Sequence, residues 1–432
     1  MKLVLFAHTP PPHHGQSQMV KWMLDGFGGD QRRRASAGSS SSSPPFGIAC
    51  YHVNARLSSD LEDVGHARAG KVLALLRYAV EAVWLRFRYG ADTLYYVPSP
   101  PQRPALYRDW LVMLLCRPFF RRVILHWHAV GLGEWLEQEA RPWERRLTHW
   151  LLGRADLAIM LSACGAADAR RLRPHREVVV ANGIPDPCPQ YAQDVAPRRV
   201  ARATARQNLL LHEPLATEAR QNAGDSPETV RVLYLAHCMR EKGLFDTIAG
   251  VAMANDLLAG RGASLRFRLT VAGSFVTAAE RGEFDRLAAA PGATDWLRYA
   301  GFLSGVEKAA VFAQADLFCF PTYYANEGQP VALIEALAFG LPLVTTRWRA
   351  IPEFLPAGYP GLIEPRQPAQ VATALLAVLS EDGDRFREIF LRRFSLARHL
   401  AGLASALRVS RAPVLPGGQN NTNPTLPKTR SS

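Results

Sequence analysis

The chain has 432 residues, 48% hydrophobic and 21% charged, with a formal net charge of +13 carried mostly by arginine. That is long enough for two domains with substantial cores, and the composition excludes a disordered chain. No apolar run reaches the roughly 18 residues of a membrane-spanning helix, and the six scattered cysteines show no zinc or redox spacing, which fits a reducing cytosol.

The opening MKLVLFAHTPPPHHG carries too short an apolar run for a signal peptide and reads as a buried first strand. From there aliphatic runs alternate with longer amphipathic segments, the pattern of a parallel sheet wrapped by helices. Strands are predicted near 2–8, 47–53, 92–97, 122–128, 156–160 and 177–181, with helices near 16–28, 66–89, 104–117, 134–152 and 163–173. A polar, arginine-containing stretch, 186–228, shows no strand character. The alternation then restarts, with strands near 230–236, 266–272, 296–300, 316–320 and 342–345 and helices near 244–259, 278–289, 305–314, 331–339 and 369–380.

The expected fold class is therefore α/β, two Rossmann-like doubly wound domains in tandem with a cleft between them. The domains are placed at 1–185 and 229–395, joined by the connection 186–228 and followed by a carboxyl-terminal helix, 396–410. Two low-complexity segments, the insertion 30–47 (DQRRRASAGSSSSSPPFG) and the tail 411–432, read as disordered.

In doubly wound sheets ligands bind where strands end and helices begin. The stretch ANEGQPVALIEALAFGLPLV places Glu327 before a helix and Glu335 in its second turn. Pro330 suits the first helical position because it has no amide to leave unpaired. The free amides and dipole of that helix start favour an anion such as a diphosphate, while a carboxylate can accept from two hydroxyls at once, as in a ribose diol. The bland alternative is a capping carboxylate with a solvated helix acid. Lys242, at the end of the second domain's first strand, is where a leaving diphosphate needs a cation. The competing reading is a surface lysine at a helix start, an electrostatically poor position. His126 and His128 share one strand face, and His126 reads as a core histidine.

EGQPVALIEALAFGLPLV resembles the E-x7-E signature of glycosyltransferase family 4, the retaining, nucleotide-sugar-dependent enzymes of the GT-B fold. The resemblance assigns Glu327 to the transferred sugar and Glu335 to the nucleotide ribose. Gly328, Gln329 and Val331, between the two acids, are counted with the donor site. YLAHCMREKG is similar to the family's segment ending Glu-Lys-Gly, which implies that Lys242 contacts the donor diphosphate. Many members carry an arginine where this chain has His237, and Arg240 is the alternative second cation. HTPPPHHGQSQMV resembles the glycine-containing loop after strand one, with Gly15 approaching the phosphates, although many members have two adjacent glycines. VILHWHAVG resembles the segment whose histidine faces sugar and acceptor, here His128. Asn182-Gly183 resembles the turn that closes the first domain. VTTRWRAIPEFL lacks the usual glycine pair before Ile351-Pro352-Glu353.

The resemblance spans most of residues 1–405. It implies transfer of a sugar from a nucleotide diphosphate donor to a glycan or lipid-linked acceptor hydroxyl with retained configuration, in bacterial polysaccharide or lipopolysaccharide assembly. His128, Glu327 and Lys242 are the expected catalytic residues. No Asp-x-Asp follows a strand, so neither metal nor cofactor is expected, and Lys242 with helix amides would supply the positive charge. The arginine- and aromatic-rich segments 71–90 and 116–123 fit an anionic membrane surface or simply helices covering the sheet. The expected location is the cytoplasm, at the inner face of the plasma membrane. A sugar-binding scaffold and a nucleotide-sugar epimerase are the alternatives, and no nucleic-acid module is recognised.

Overall fold

The computed structural model describes residues 1–11, 15–36, 43–56, 69–211 and 227–409. The first domain is a parallel six-stranded sheet in the order β2-β1-β3-β4-β5-β6, with β1 Lys2–Phe6, β2 Ala49–Val53, β3 Thr93–Tyr96, β4 Arg122–Trp127, β5 Leu157–Met160 and β6 Glu177–Val179. Helices α1 (Gly15–Gly26), α2 (Gln31–Ser36), α3 (Ala69–Tyr89), α4 (Arg103–Cys116), α5 (Leu132–Gln138), α6 (Pro142–Leu151) and α7 (Ala163–Arg170) surround it. The strands read as continuous apolar runs because both sheet faces are covered. Val4, Leu5, Leu94 and Ile124 are wholly buried.

The second sheet has the order β12-β11-β10-β7-β8-β9, again parallel, with β7 Thr229–Leu235, β8 Arg266–Ala272, β9 Leu297–Gly301, β10 Leu317–Phe320, β11 Leu343–Thr346 and β12 Leu362–Ile363. After the connecting helix α8 (Ala196–Leu210) its helices are α9 (Leu244–Gly260), α10 (Ala278–Ala288), α11 (Gly305–Gln314), α12 (Val331–Ala338), α13 (Pro368–Ala377) and α14 (Gly383–Ile389). Strand order reverses between β7 and β10, which pair through Val232 and Leu317. A crevice opens at such a reversal, and the loops after β7 and β10 both end there.

Helix α15 (Leu396–Arg408) returns to the first domain. Its Leu400, Leu403 and Leu407 join Leu3, Leu5, Val20 and Met23 in one core. The chain thus crosses between domains twice, which ties the cleft walls together.

Three expectations change. The insertion 30–47 is not wholly disordered: Asp30 is buried and ion-paired with Arg32, Gln31–Ser36 is helical and Pro45–Gly47 forms one turn, while 37–42 lies outside the described residues. The expected helix 134–152 is two helices, since Pro142 lacks the amide to continue the first. Within the connection, α8 is regular and packs on the second domain through Arg202 and Arg206, 2.7 and 2.5 Å from the buried Asp316. The tail 411–432 also lies outside the described residues.

Candidate active site at the interdomain cleft

Lys242 closes a single helical turn, Arg240–Lys242, after β7. Gly243 then adopts φ 79°, and a Cβ there would stand 2.4 Å from the Pro321 carbonyl, so the turn can press against the end of β10 only with glycine. That packing brings Lys242 Nζ to 2.6 Å from Glu327 Oε2. The Thr322 hydroxyl donates to the same oxygen at 3.2 Å, and the ammonium lies 4.4 Å from the centroid of the Tyr324 ring, a cation–π distance. Two residues 85 positions apart thus meet at the strand-order reversal.

Pro330 is the cap of α12 rather than its first helical residue, which is Val331. Gly15 opens α1, and a Cβ on it would lie 3.4 Å from Val331 Cγ2. The amide-bearing ends of one helix from each domain therefore face one gap. In the second turn of α12, Glu335 is buried and receives Lys308 of α11 at 2.5 Å. Burial raises the Glu335 pKa against the opposing pull of Lys308. Lys242 and Lys308 cancel Glu327 and Glu335, so the positive field left for an anion comes from the helix ends.

His237 sits beside this cluster. Burial first, and Lys242 second, lower its pKa against the pull of Glu327, so its ring is neutral at neutral pH. Arg240 turns away: its guanidinium pairs with Glu283 at 2.5 Å and lies over Phe245. His128 follows β4, with its ring centroid 4.3 Å from that of the buried His126. Gly328 packs directly on His128, since a Cβ there would be 2.1 Å from the His128 carbonyl oxygen. Gln329 is committed to the other domain: it accepts from the Asn182 amide at 2.6 Å and donates to the Leu161 carbonyl at 3.2 Å.

Further ties flank the cleft. Glu353 accepts from the Ala163 and Cys164 amides at 3.0 and 2.9 Å, capping α7 across the domain gap. Arg349 reaches Glu134 at 3.0 Å. Sequence reasoning missed Lys308, Thr322, Arg349 and the cap role of Glu353. For Lys308 one signal was present, a cation in the first turn of a helix, where the dipole disfavours it.

This fold and site define a GT-B protein, with two Rossmann-like domains closing on a ligand cleft. The family model of the glycosyl transferases group 1 matches residues 231–381, most of its second domain. Curated relatives include the amylovoran biosynthesis glycosyltransferase AmsK of Erwinia amylovora, 32% identical over 36% of this chain and 37% of that one. The O-antigen chain mannosyltransferase B of Escherichia coli is 29% identical over 27% of each chain. The chain spans 25 to 40% of the length of the curated relatives it matches. Among solved structures, Anabaena HepE in complex with UDP and glucose aligns over 94% of this chain and 99% of its own, with TM-score 0.59 and 14% identity. Sucrose-phosphate synthase from Thermosynechococcus elongatus aligns over 94 and 98%, with TM-score 0.61 and 17% identity.

Proposed function

We propose that the protein is a retaining glycosyltransferase that moves a sugar from a nucleotide diphosphate donor to an acceptor hydroxyl in the assembly of a bacterial cell-surface polysaccharide or lipopolysaccharide. The observation that carries this is the convergence of Lys242, Glu327 and two helix amino termini at the strand-order reversal, with the buried Glu335 behind them. The diphosphate would lie on the α12 amides and draw Lys242 from Glu327, freeing that carboxylate to hold sugar hydroxyls. Glu335 would take the ribose diol. The bond from the anomeric carbon to the diphosphate breaks as the acceptor oxygen bonds to that carbon, and the acceptor's proton passes to the departing phosphate oxygen. His128, whose carbonyl packs on Gly328, would stand on the acceptor side. The relatives' names place them in amylovoran and O-antigen synthesis, and a solved neighbour binds UDP, which supports the same chemistry here.

The reaction as proposed uses no metal. In this reading the ammonium of Lys242 and the helix ends would carry the leaving group's charge. Calorimetric titration with UDP- and GDP-sugars in excess EDTA tests this. One donor is expected to saturate the site, and Glu335→Ala is expected to weaken it at least about tenfold. A folded wild type that binds no donor, or only with a divalent cation, would contradict the proposal.

The proposal extends to a cytoplasmic location at an anionic membrane surface. No helix among the described residues is long and apolar enough to cross a membrane. Yet α3 buries Leu75, Ala79, Ala82 and Leu85 and leaves Leu73, Val80 and Phe87 71, 69 and 67% exposed, with Trp84 also outward. Phe119 extends this stripe beside Phe87, and Arg86 and Arg88 flank it. Aromatic and basic side chains together suit an anionic interface. In vesicle co-sedimentation, anionic vesicles are expected to retain the protein, neutral ones much less, and Trp84→Ser/Phe87→Ser is expected to release it. Equal binding to both vesicle types would rule out the electrostatic part.

A further inference from the structure

Lys308 stands in the first turn of α11, a position without support from the helix dipole, and directs its ammonium at Glu335 Oε1 from 2.5 Å. The Lys308 side chain is 32% exposed while that of Glu335 is 9% exposed, so the lysine reaches from the cleft surface to a carboxylate that burial disfavours in its charged form. Other elements packed on α12 offer no substitute. Arg387 of α14 is committed to Asp186 at 2.8 Å and to the Ala338 carbonyl at 2.7 Å, and Arg199 of α8 to the Phe339 and Ala315 carbonyls. Glu335 Oε2 engages no protein donor among the described residues. One oxygen is thus fixed and the other is left for a ligand's hydroxyls.

We propose that Lys308 is a positioning and specificity residue of the donor site, holding Glu335 as an oriented carboxylate and thereby setting the preference for a ribonucleotide over its 2′-deoxy counterpart. The inference rests on the donor-binding reading above and goes beyond it, because it assigns the sugar selectivity of the nucleotide to a residue outside the E-x7-E segment. The chemistry is direct. A charged carboxylate can accept from both hydroxyls of a ribose, and a 2′-deoxyribose offers only one. A neutral carboxyl without Lys308 becomes partly a donor, gains less from the second hydroxyl and is free to turn.

The test uses the full chain, with UDP, GDP and ADP and their 2′-deoxy forms as probes, and reads affinity by calorimetry for wild type, Lys308→Met, Lys308→Gln and Lys308→Arg. Wild type is expected to favour one ribonucleotide by about tenfold or more over its deoxy form. Lys308→Met is expected to bind that ribonucleotide about tenfold more weakly, with the ribo-to-deoxy ratio falling toward one. Lys308→Arg is expected to restore most of the ratio. Should Lys308→Met fail to fold, Lys308→Gln, which keeps a donor without the charge, takes its place against Lys308→Arg. An unchanged ratio in the folded uncharged variant overturns the role of Lys308 alone. A wild type that binds no nucleotide overturns the donor reading and this inference together.

Discussion

Lys242→Met is expected to lower the turnover of donor and acceptor about a hundred- to a thousandfold, the range seen when one preorganised group that stabilises developing charge is removed. Lys242 is 2.6 Å from Glu327 and shielded on one side by Tyr324, so no second cation in the cluster replaces it: Arg240 is held by Glu283, and His237 is neutral. The variant also leaves Glu327 with only the Thr322 hydroxyl among these partners. Removing one member of a buried pair costs about 3–5 kcal/mol, and with Lys242 15% exposed the cost here is smaller, about 2–3 kcal/mol. Stability and chemistry must therefore be separated. Lys242→Met/Glu327→Gln removes both charges and is expected to recover most of the stability without recovering turnover. If the double variant turns over near the wild-type rate, Lys242 serves only to hold Glu327.

Much of this architecture was legible because parallel strands, buried on both faces, leave apolar runs that periodicity detects. The Leu244–Gly260, Ala278–Ala288 and Gly305–Gln314 helices lie within a residue of their expected bounds. Helix α8 escaped for a definite reason. Its inward face is Arg199, Arg202 and Arg206, which satisfy Asp316 and the carbonyls of Ala315 and Phe339, so a search for apolar spacing finds nothing there. At the site, Glu327, Glu335 and Lys242 announced themselves through charge beside apolar strand ends. Lys308 did not, because its partner is 27 residues away on a different helix and only the packing of α11 against the sheet brings them together. Gln329 stands beside Glu327 in sequence but points into the other domain, a direction that local spacing does not encode.

That two-domain seam carries the second large expected effect, a loss of stability in mild acid. His399 of α15 is buried, donates through Nδ1 to the Ala181 carbonyl at 2.7 Å, and lies with its ring centroid 6.3 Å from that of His126. Burial pushes the His399 pKa down to about 4, with the carbonyl contact opposing. His126, which shares a hydrogen bond with Tyr95 at 2.5 Å, is also held well below the ordinary histidine value, first by burial and then by repulsion from the like charges of His128 and His399 when protonated. A histidine whose folded pKa lies below its unfolded value near 6.5 contributes its full stability above that value. As pH falls toward 4 the unfolded chain takes up the proton and the folded chain does not, so stability declines through this window. For His399 alone the decline is about 3 kcal/mol, at about 1.4 kcal/mol per pH unit. His399→Gln keeps a donor for Ala181 but cannot titrate. Urea unfolding between pH 7.5 and 4.5 is expected to show wild type losing stability about one proton more steeply than the variant. Parallel slopes would mean that His399 takes up its proton equally well in the folded chain. Because α15 fastens the end of the second domain's chain to the first domain's core, the same linkage acts on its local release: a detached α15 takes up the proton that the packed one refuses, so its detachment is expected to become easier over the same pH window.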